Sequence, residues 1–157
     1  MDTIRFELKH PNEVAILIND RDLIEMLREV ELPFATREGH PSMAGDYQGL
    51  SPAALFEDTR VWLGKARKGW NYAEGQIVLL GCPYVDVYCW PMSVRVTLAE
   101  DRIIWSDFEQ QQRDASTGED QWTYEALGPF AFDRRQYMRE VERMVSRYGH
   151  ERPDTEP

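Results

Sequence analysis

Reactive and metal-binding side chains are scarce in this chain, which has two cysteines and three histidines in 157 residues. Two cysteines are too few for a four-thiolate zinc site or a disulfide framework. A thiol nucleophile needs a neighbouring base, and His10 beside a turn, His40 in a loop-like stretch and His150 near the end bring none with a supporting motif. The glycines at 64, 69, 75 and 81 fit neither a Walker loop nor a dinucleotide fingerprint. No window approaches the ~20 apolar residues of a membrane-spanning helix. "MDTIRFELKH" interleaves acids with bases where a signal peptide would be apolar, so a cytoplasmic location is expected. Internal repeats and coiled-coil heptads are missing too.

Positive charge is also in deficit. Eighteen lysines and arginines face 28 acids, a formal charge of −10 with a pI near 4.8. Nucleic-acid backbones and anionic membranes are repelled overall, and the charge suits solubility or a partner with a basic surface. The chain is otherwise well supplied for folding, with 42% hydrophobic and 11% aromatic residues. That is more than a disordered segment carries. A single domain over 1–150 with a frayed tail over 151–157 is expected.

Periodicity predicts the elements. "TIRFELK" alternates apolar and charged residues, and "EVAILIN" follows a His-Pro-Asn turn, so 3–9 and 13–19 form a hairpin. Asn19 and Asp20 offer cap oxygens to a helix over 20–31, with Leu23, Leu27 and Val30 inward and Pro33 as its stop. Residues 35–50 are rich in Gly, Pro, Ser and Thr and read as a surface excursion. Ser51 and Pro52 can open a helical turn before Val61, Trp62 and Leu63 head inward. Further strands are expected at 76–81, 93–99 and 102–108, with Trp105 and Phe108 on opposite faces of the last. The stretch "EQQQRDASTGEDQ" then reads as a mobile loop.

The segment "GPFAFDRRQYMREVERMVSRYG" carries the clearest local code. Asp133 stands at the N-cap, Gln136 three residues on closes a capping box, and Phe132 and Tyr137 form a hydrophobic staple. Tyr137, Val141, Met144, Val145 and Tyr148 then make one stripe of a helix over 134–148, with Gly149 as C-cap. Burying that stripe is worth on the order of 10 kcal/mol before chain entropy. The order of elements gives an α+β fold, a mostly antiparallel sheet built from hairpins with the two helices packed on it.

Two constellations carry candidate chemistry. "GCPYVDVYC" sets Cys82, Asp86 and Cys89 in one loop, three of the ligands a zinc ion would need. Their spacing is not that of a zinc finger, and two small buried thiols flanking a turn is the ordinary alternative. The basic loop "KARKGWNYAEG", with Trp70 and Tyr72, could in principle hold an anionic ligand, but at this overall charge it reads as a solvated loop. On "WSDFEQ", Asp107 and Glu109 alternate onto one strand face, where paired carboxylates could share a proton or meet a cation, and Arg113 could neutralise them. The bland reading is the wet face of a hairpin.

"LLGC", "CWPM", "WSDFEQ" with Arg113, and "GPFAFDRRQY" together resemble a family of small uncharacterised bacterial proteins. In that family a Gly-Cys run, a Cys-Trp-Pro corner, a Trp-x-x-Phe-x-Gln stretch and a Gly-Pro-Phe-x-Phe-Asp-Arg-x-Gln-Tyr segment follow in this order. The resemblance spans residues 76–140 and implies a shared fold, without an established activity. The family pattern carries a cysteine, a glycine and a histidine where this chain has Tyr84, Tyr88 and Gln112. Any metal or acid–base role of those positions would therefore be incomplete here.

The sequence thus favours a non-enzymatic, acidic protein-binding module, in the style of immunity proteins that cap toxins. Asp107, Glu109 and Arg113 are its candidate contact residues, and no cofactor is expected. The rival expectation is a zinc-binding or thiol-dependent enzyme using Cys82, Asp86 and Cys89.

Overall fold

A computed structural model describes residues 1–9, 12–56, 59–65, 75–81, 91–110, 113 and 121–148. Strands β1 (Ile4–Lys9) and β2 (Glu13–Ile18) form the expected hairpin, and β3 (Arg21–Asp22) adds to β2 as a short third strand. Asn19 and Asp20, with φ of 53° and 65°, form the two-residue turn between β2 and β3. Positive φ at both positions is what a tight hairpin needs, and Asn and Asp tolerate it best after glycine. They are therefore turn residues and not helix caps. The cap is Asp22, whose Oδ1 accepts from Ile24 N–H at 2.8 Å.

Helix α1 runs Leu23–Arg37, six residues beyond the expected end and through Pro33. A proline inside a helix forfeits one backbone hydrogen bond. Tertiary packing outweighs that cost here: Ala35 is fully buried, and Phe34 stacks on Trp122 with centroids 6.3 Å apart. Residues 38–50 likewise are not a surface excursion, since Ala44, Tyr47 and Leu50 belong to the core around a 3₁₀ turn (Pro41–Met43) and β4 (Gln48–Gly49). Helix α2 (Pro52–Phe56) starts as expected, with Ser51 Oγ accepting from Ala54 N–H at 3.1 Å.

The second sheet has five antiparallel strands in the order β4, β5 (Gln76–Gly81), β6 (Met92–Leu98), β7 (Arg102–Gln110) and β8 (Phe130–Asp133). The two sheets meet at both sides. Val14 N–H donates to Leu50 O at 2.8 Å beside β4, and a Cβ on Gly49 would stand 2.5 Å from the Val14 carbonyl oxygen, so only glycine fits this junction. At the other side, Asp2 N–H donates to Ala131 O at 2.9 Å, and Ala131 N–H returns a bond to Asp2 Oδ2 at 2.8 Å.

Helix α3 (Arg134–Tyr148) follows β8 directly and packs against β1, β7 and β8, while α1 packs on β2 and β3. Asp133 Oδ2 caps it by accepting from Gln136 N–H at 3.0 Å. Tyr137, Val141 and Met144 are fully buried, whereas Val145 and Tyr148 are partly so. Three full burials are worth about 6 kcal/mol, the larger part of the expected gain. The core centres on Trp62, whose ring lies 5.2 Å from Phe6, 5.4 Å from Phe56 and 6.2 Å from Trp105. Every polar tip in this aromatic cluster has a partner: Trp62 Nε1 donates to Leu55 O, Trp105 Nε1 to the Tyr137 hydroxyl, and that hydroxyl to Trp62 O.

Candidate functional site

Strand β7 outruns its neighbour. Strand β8 pairs with Arg102–Trp105 alone, so the second half of β7 faces the segment 121–129 across an open groove. The register against β6 explains its shape. Arg95 pairs with Ser106 and Ser93 with Glu109, so β7 carries one residue more than β6 between the two pairs. That extra residue is a β-bulge, and Asp107 there has φ of 53°. A bulge shifts the in–out alternation by one place. Trp105 and Phe108 consequently lie on the same side, in edge-to-face contact at 6.4 Å, rather than on opposite faces as the sequence suggests.

The groove has a volume of about 460 Å³. Asp107 and Glu109 line one wall, and Glu125 lies across from them in the facing segment. Phe108, Trp122 and Tyr124 contribute ring edges deeper in. Asp107 pairs loosely with Arg95 at 3.6 Å, and its side chain remains 76% exposed. Arg113 sits behind the wall: its guanidinium pairs with Glu38 at 3.0 Å and lies over the Trp122 ring. Glu109 and Gln110 belong to β7 and Gln110 is buried, so the expected loop begins later than "EQQQ" suggests.

The wall formed by 121–125 is tied to α1 by two glutamates, two helical turns apart. Trp122 Nε1 donates to Glu38 Oε2 at 2.9 Å, beside the Arg113 pair. Glu31 is fully buried and collects three donors: Gly45 N–H at 2.8 Å, the Tyr124 hydroxyl at 2.6 Å and the Tyr47 hydroxyl in a very short bond. Gln110 Nε2 in turn donates to the Tyr47 oxygen at 3.3 Å. Burial pushes the Glu31 carboxyl above the ordinary carboxylate range, with help from the Asp46 charge, although all three donors pull it down. Burial also raises both tyrosines, and the Glu31 carboxylate adds to the rise. Gly45 has φ of 68°, and a Cβ there would meet Arg28 Cβ at 2.6 Å, so glycine is required where its N–H must reach Glu31.

Of the sequence candidates, Asp107 and Glu109 thus share the groove, and Arg113 braces its wall from behind. Cys82, Asp86 and Cys89 lie outside the described residues, as do His10, His150 and the basic 66–74 stretch. Among the described residues no three His, Cys, Asp or Glu side chains converge as a metal site, and no helix is long and apolar enough to cross a membrane. Sequence reasoning missed Glu31, Tyr47, Tyr124, Glu38 and Glu125. One signal was available: Leu23, Leu27, Glu31 and Ala35 recur every four residues, so Glu31 interrupts an apolar stripe. Compared with family models, curated proteins and solved structures, the chain matches none.

Proposed function

We propose that this protein is a non-enzymatic binding module whose acidic groove takes a basic segment of another protein, in the manner of an immunity protein capping a toxin. The observation that carries this reading is that Asp107, Glu109 and Glu125 all line one groove. The formal charge of −10 would steer a cationic partner towards it. Asp107 adds a second support. A non-glycine residue with positive φ is uncommon, costs of order 1 kcal/mol and persists where its surroundings require it. Here it sets an exposed carboxylate, loosely paired with Arg95, at the rim of the groove.

Titration with a lysine-rich peptide tests the reading. Asn tolerates the left-handed region, so Asp107→Asn removes the charge and keeps the bulge. Combined with Glu109→Gln and Glu125→Gln, it should weaken peptide binding at least about tenfold, or 1.4 kcal/mol, and flatten its salt dependence. Unchanged affinity in the triple variant would remove the groove from the argument.

A further inference from the structure

We propose that Glu31 is a positioning residue for the acidic groove, and that gain or loss of its proton sets how tightly the groove holds a cationic segment. The inference rests on the binding role proposed for that groove.

Glu31 does not line the groove, yet the cluster around it reaches both walls. One wall is β7 from Ser106 to Glu109, and the next residue of that strand, Gln110, is buried with its Nε2 on the Tyr47 oxygen at 3.3 Å. The other wall holds Tyr124, which lines the groove and whose hydroxyl donates to Glu31 Oε2 at 2.6 Å. Tyr47 donates to the same oxygen, so Glu31 Oε2 is where the ties from the two walls meet. The carboxyl stands one tyrosine side chain behind the groove. Its other oxygen is anchored by Gly45 N–H at 2.8 Å. Trp122 is fixed separately, by Phe34, Arg113 and Glu38. Tyr124 is therefore the groove residue that answers to Glu31.

A charged carboxylate only accepts hydrogen bonds, whereas a neutral carboxyl also donates one. All three partners suit the charged form: a backbone amide can only donate, and both phenol bonds run towards Oε2. The phenol oxygens are the acceptors at hand for a carboxyl hydrogen. Uptake of a proton thus reverses one phenol bond and replaces charge-assisted bonds by neutral ones of about half the strength. Burial opposes the charged form, and Asp46 beside Tyr47 repels it, so the carboxyl titrates above its ordinary 4.5 despite the three donors. Burial holds both phenols above their ordinary range, so they stay neutral while Glu31 changes charge. Among the described residues no lysine or arginine acts on it.

A cation in the groove supplies that partner across the Tyr124 side chain. Positive charge favours the ionised carboxyl, and the ionised carboxyl holds Tyr124 more firmly. Binding and proton release are therefore linked, each promoting the other. Affinity should rise as pH rises through the folded Glu31 value.

Calorimetric titration with the lysine-rich peptide, from pH 5 to pH 8 in two buffers of different ionisation enthalpy, measures affinity and proton release together. Across that range the wild type should gain about fivefold more affinity than Glu31→Gln, whose side chain cannot ionise, and should release more protons. Tyr124→Phe keeps the carboxyl but removes a donor that pulls it down, so it should reduce the extra gain and move it to higher pH. A purely structural Glu31 would instead change affinity by the same factor at every pH. Parallel profiles for the wild type and Glu31→Gln would overturn the inference, as would a Tyr124→Phe profile identical to that of the wild type. Absence of peptide binding by the wild type at pH 8 is a separate outcome, which removes the groove reading itself and this inference with it.

Discussion

Helices α1 and α3 both turn glutamates inward, and they make opposite arrangements for them. Glu31 on α1 is fully buried and meets only neutral donors, two phenols and one backbone amide. Glu140 on α3 is half-buried, its side chain 16% exposed, with the more exposed Arg143 beside it and a backbone amide in front. An anion held by dipoles alone stays costly in the interior, and its value lies in what it organises: Glu31 joins α1, the 44–47 turn and the groove wall. An anion with a cation at the surface gains little energy from the pair, and its value lies in where it places an acceptor.

Removing the Glu31 side chain should have the largest effect on that contrast. Glu31→Ala strands two buried phenol hydroxyls and the Gly45 N–H, each at about 1–3 kcal/mol. A loss of about 4 kcal/mol in urea unfolding is expected, with the 121–125 wall loosened. Glu31→Gln keeps a carbonyl oxygen for the two phenols but sets its amide NH2 against the Gly45 N–H, so a loss of about 1–3 kcal/mol is expected, smaller than for Glu31→Ala. Equal losses in the two variants would mean that the charge, and not the acceptor geometry, is what the site uses.

Acid should separate the two glutamates by sign. The folded Glu31 carboxyl lies above its ordinary value of 4.5. Its contribution is fully present below that pH and is lost as pH rises through the folded value. At Glu140 burial alone would raise the carboxyl, but Arg143, the Phe6 N–H and the Arg5 charge outweigh it and hold the group below 4.5. Its contribution is present above 4.5 and is lost as pH falls through the folded value. Stability measured against pH should therefore diverge from Glu31→Gln on the upper side of 4.5 and from Glu140→Gln on the lower side. Divergence of both on the same side would break the distinction.

How far each region is legible in the sequence follows the same division. Helix α3 is written locally, because its apolar stripe contrasts with a polar surface and Asp133 caps it three residues before its partner. The β1–β2 hairpin and strands β6 and β7 are likewise carried by alternation, and β5 by a short apolar run. Helix α1 is misread at both ends, since Asn19 and Asp20 serve a hairpin and Pro33 is overruled by the burial of Ala35. Glu31 interrupts an apolar stripe, but what it binds is not legible because its phenol donors stand 16 and 93 residues away. The groove is hidden for a related reason. Its depth depends on a bulge that no residue type announces, and its third carboxylate, Glu125, lies in a segment without periodicity.

The smallest effect is expected on α3. In Arg143→Lys one ammonium replaces a planar fork that now bonds both oxygens of Glu140 and the Phe6 carbonyl. The Arg143 side chain is 42% exposed, so water competes with each bond, and such surface pairs are worth about 0.5 kcal/mol. Thermal or urea unfolding should register a loss of that size, roughly an eighth of that for Glu31→Ala. Exchange at Phe6 should hardly change, because the Glu140 carboxylate and not the guanidinium accepts its N–H. A loss of several kcal/mol would show instead that the α3 pair is as deeply coupled to the core as the buried network of α1.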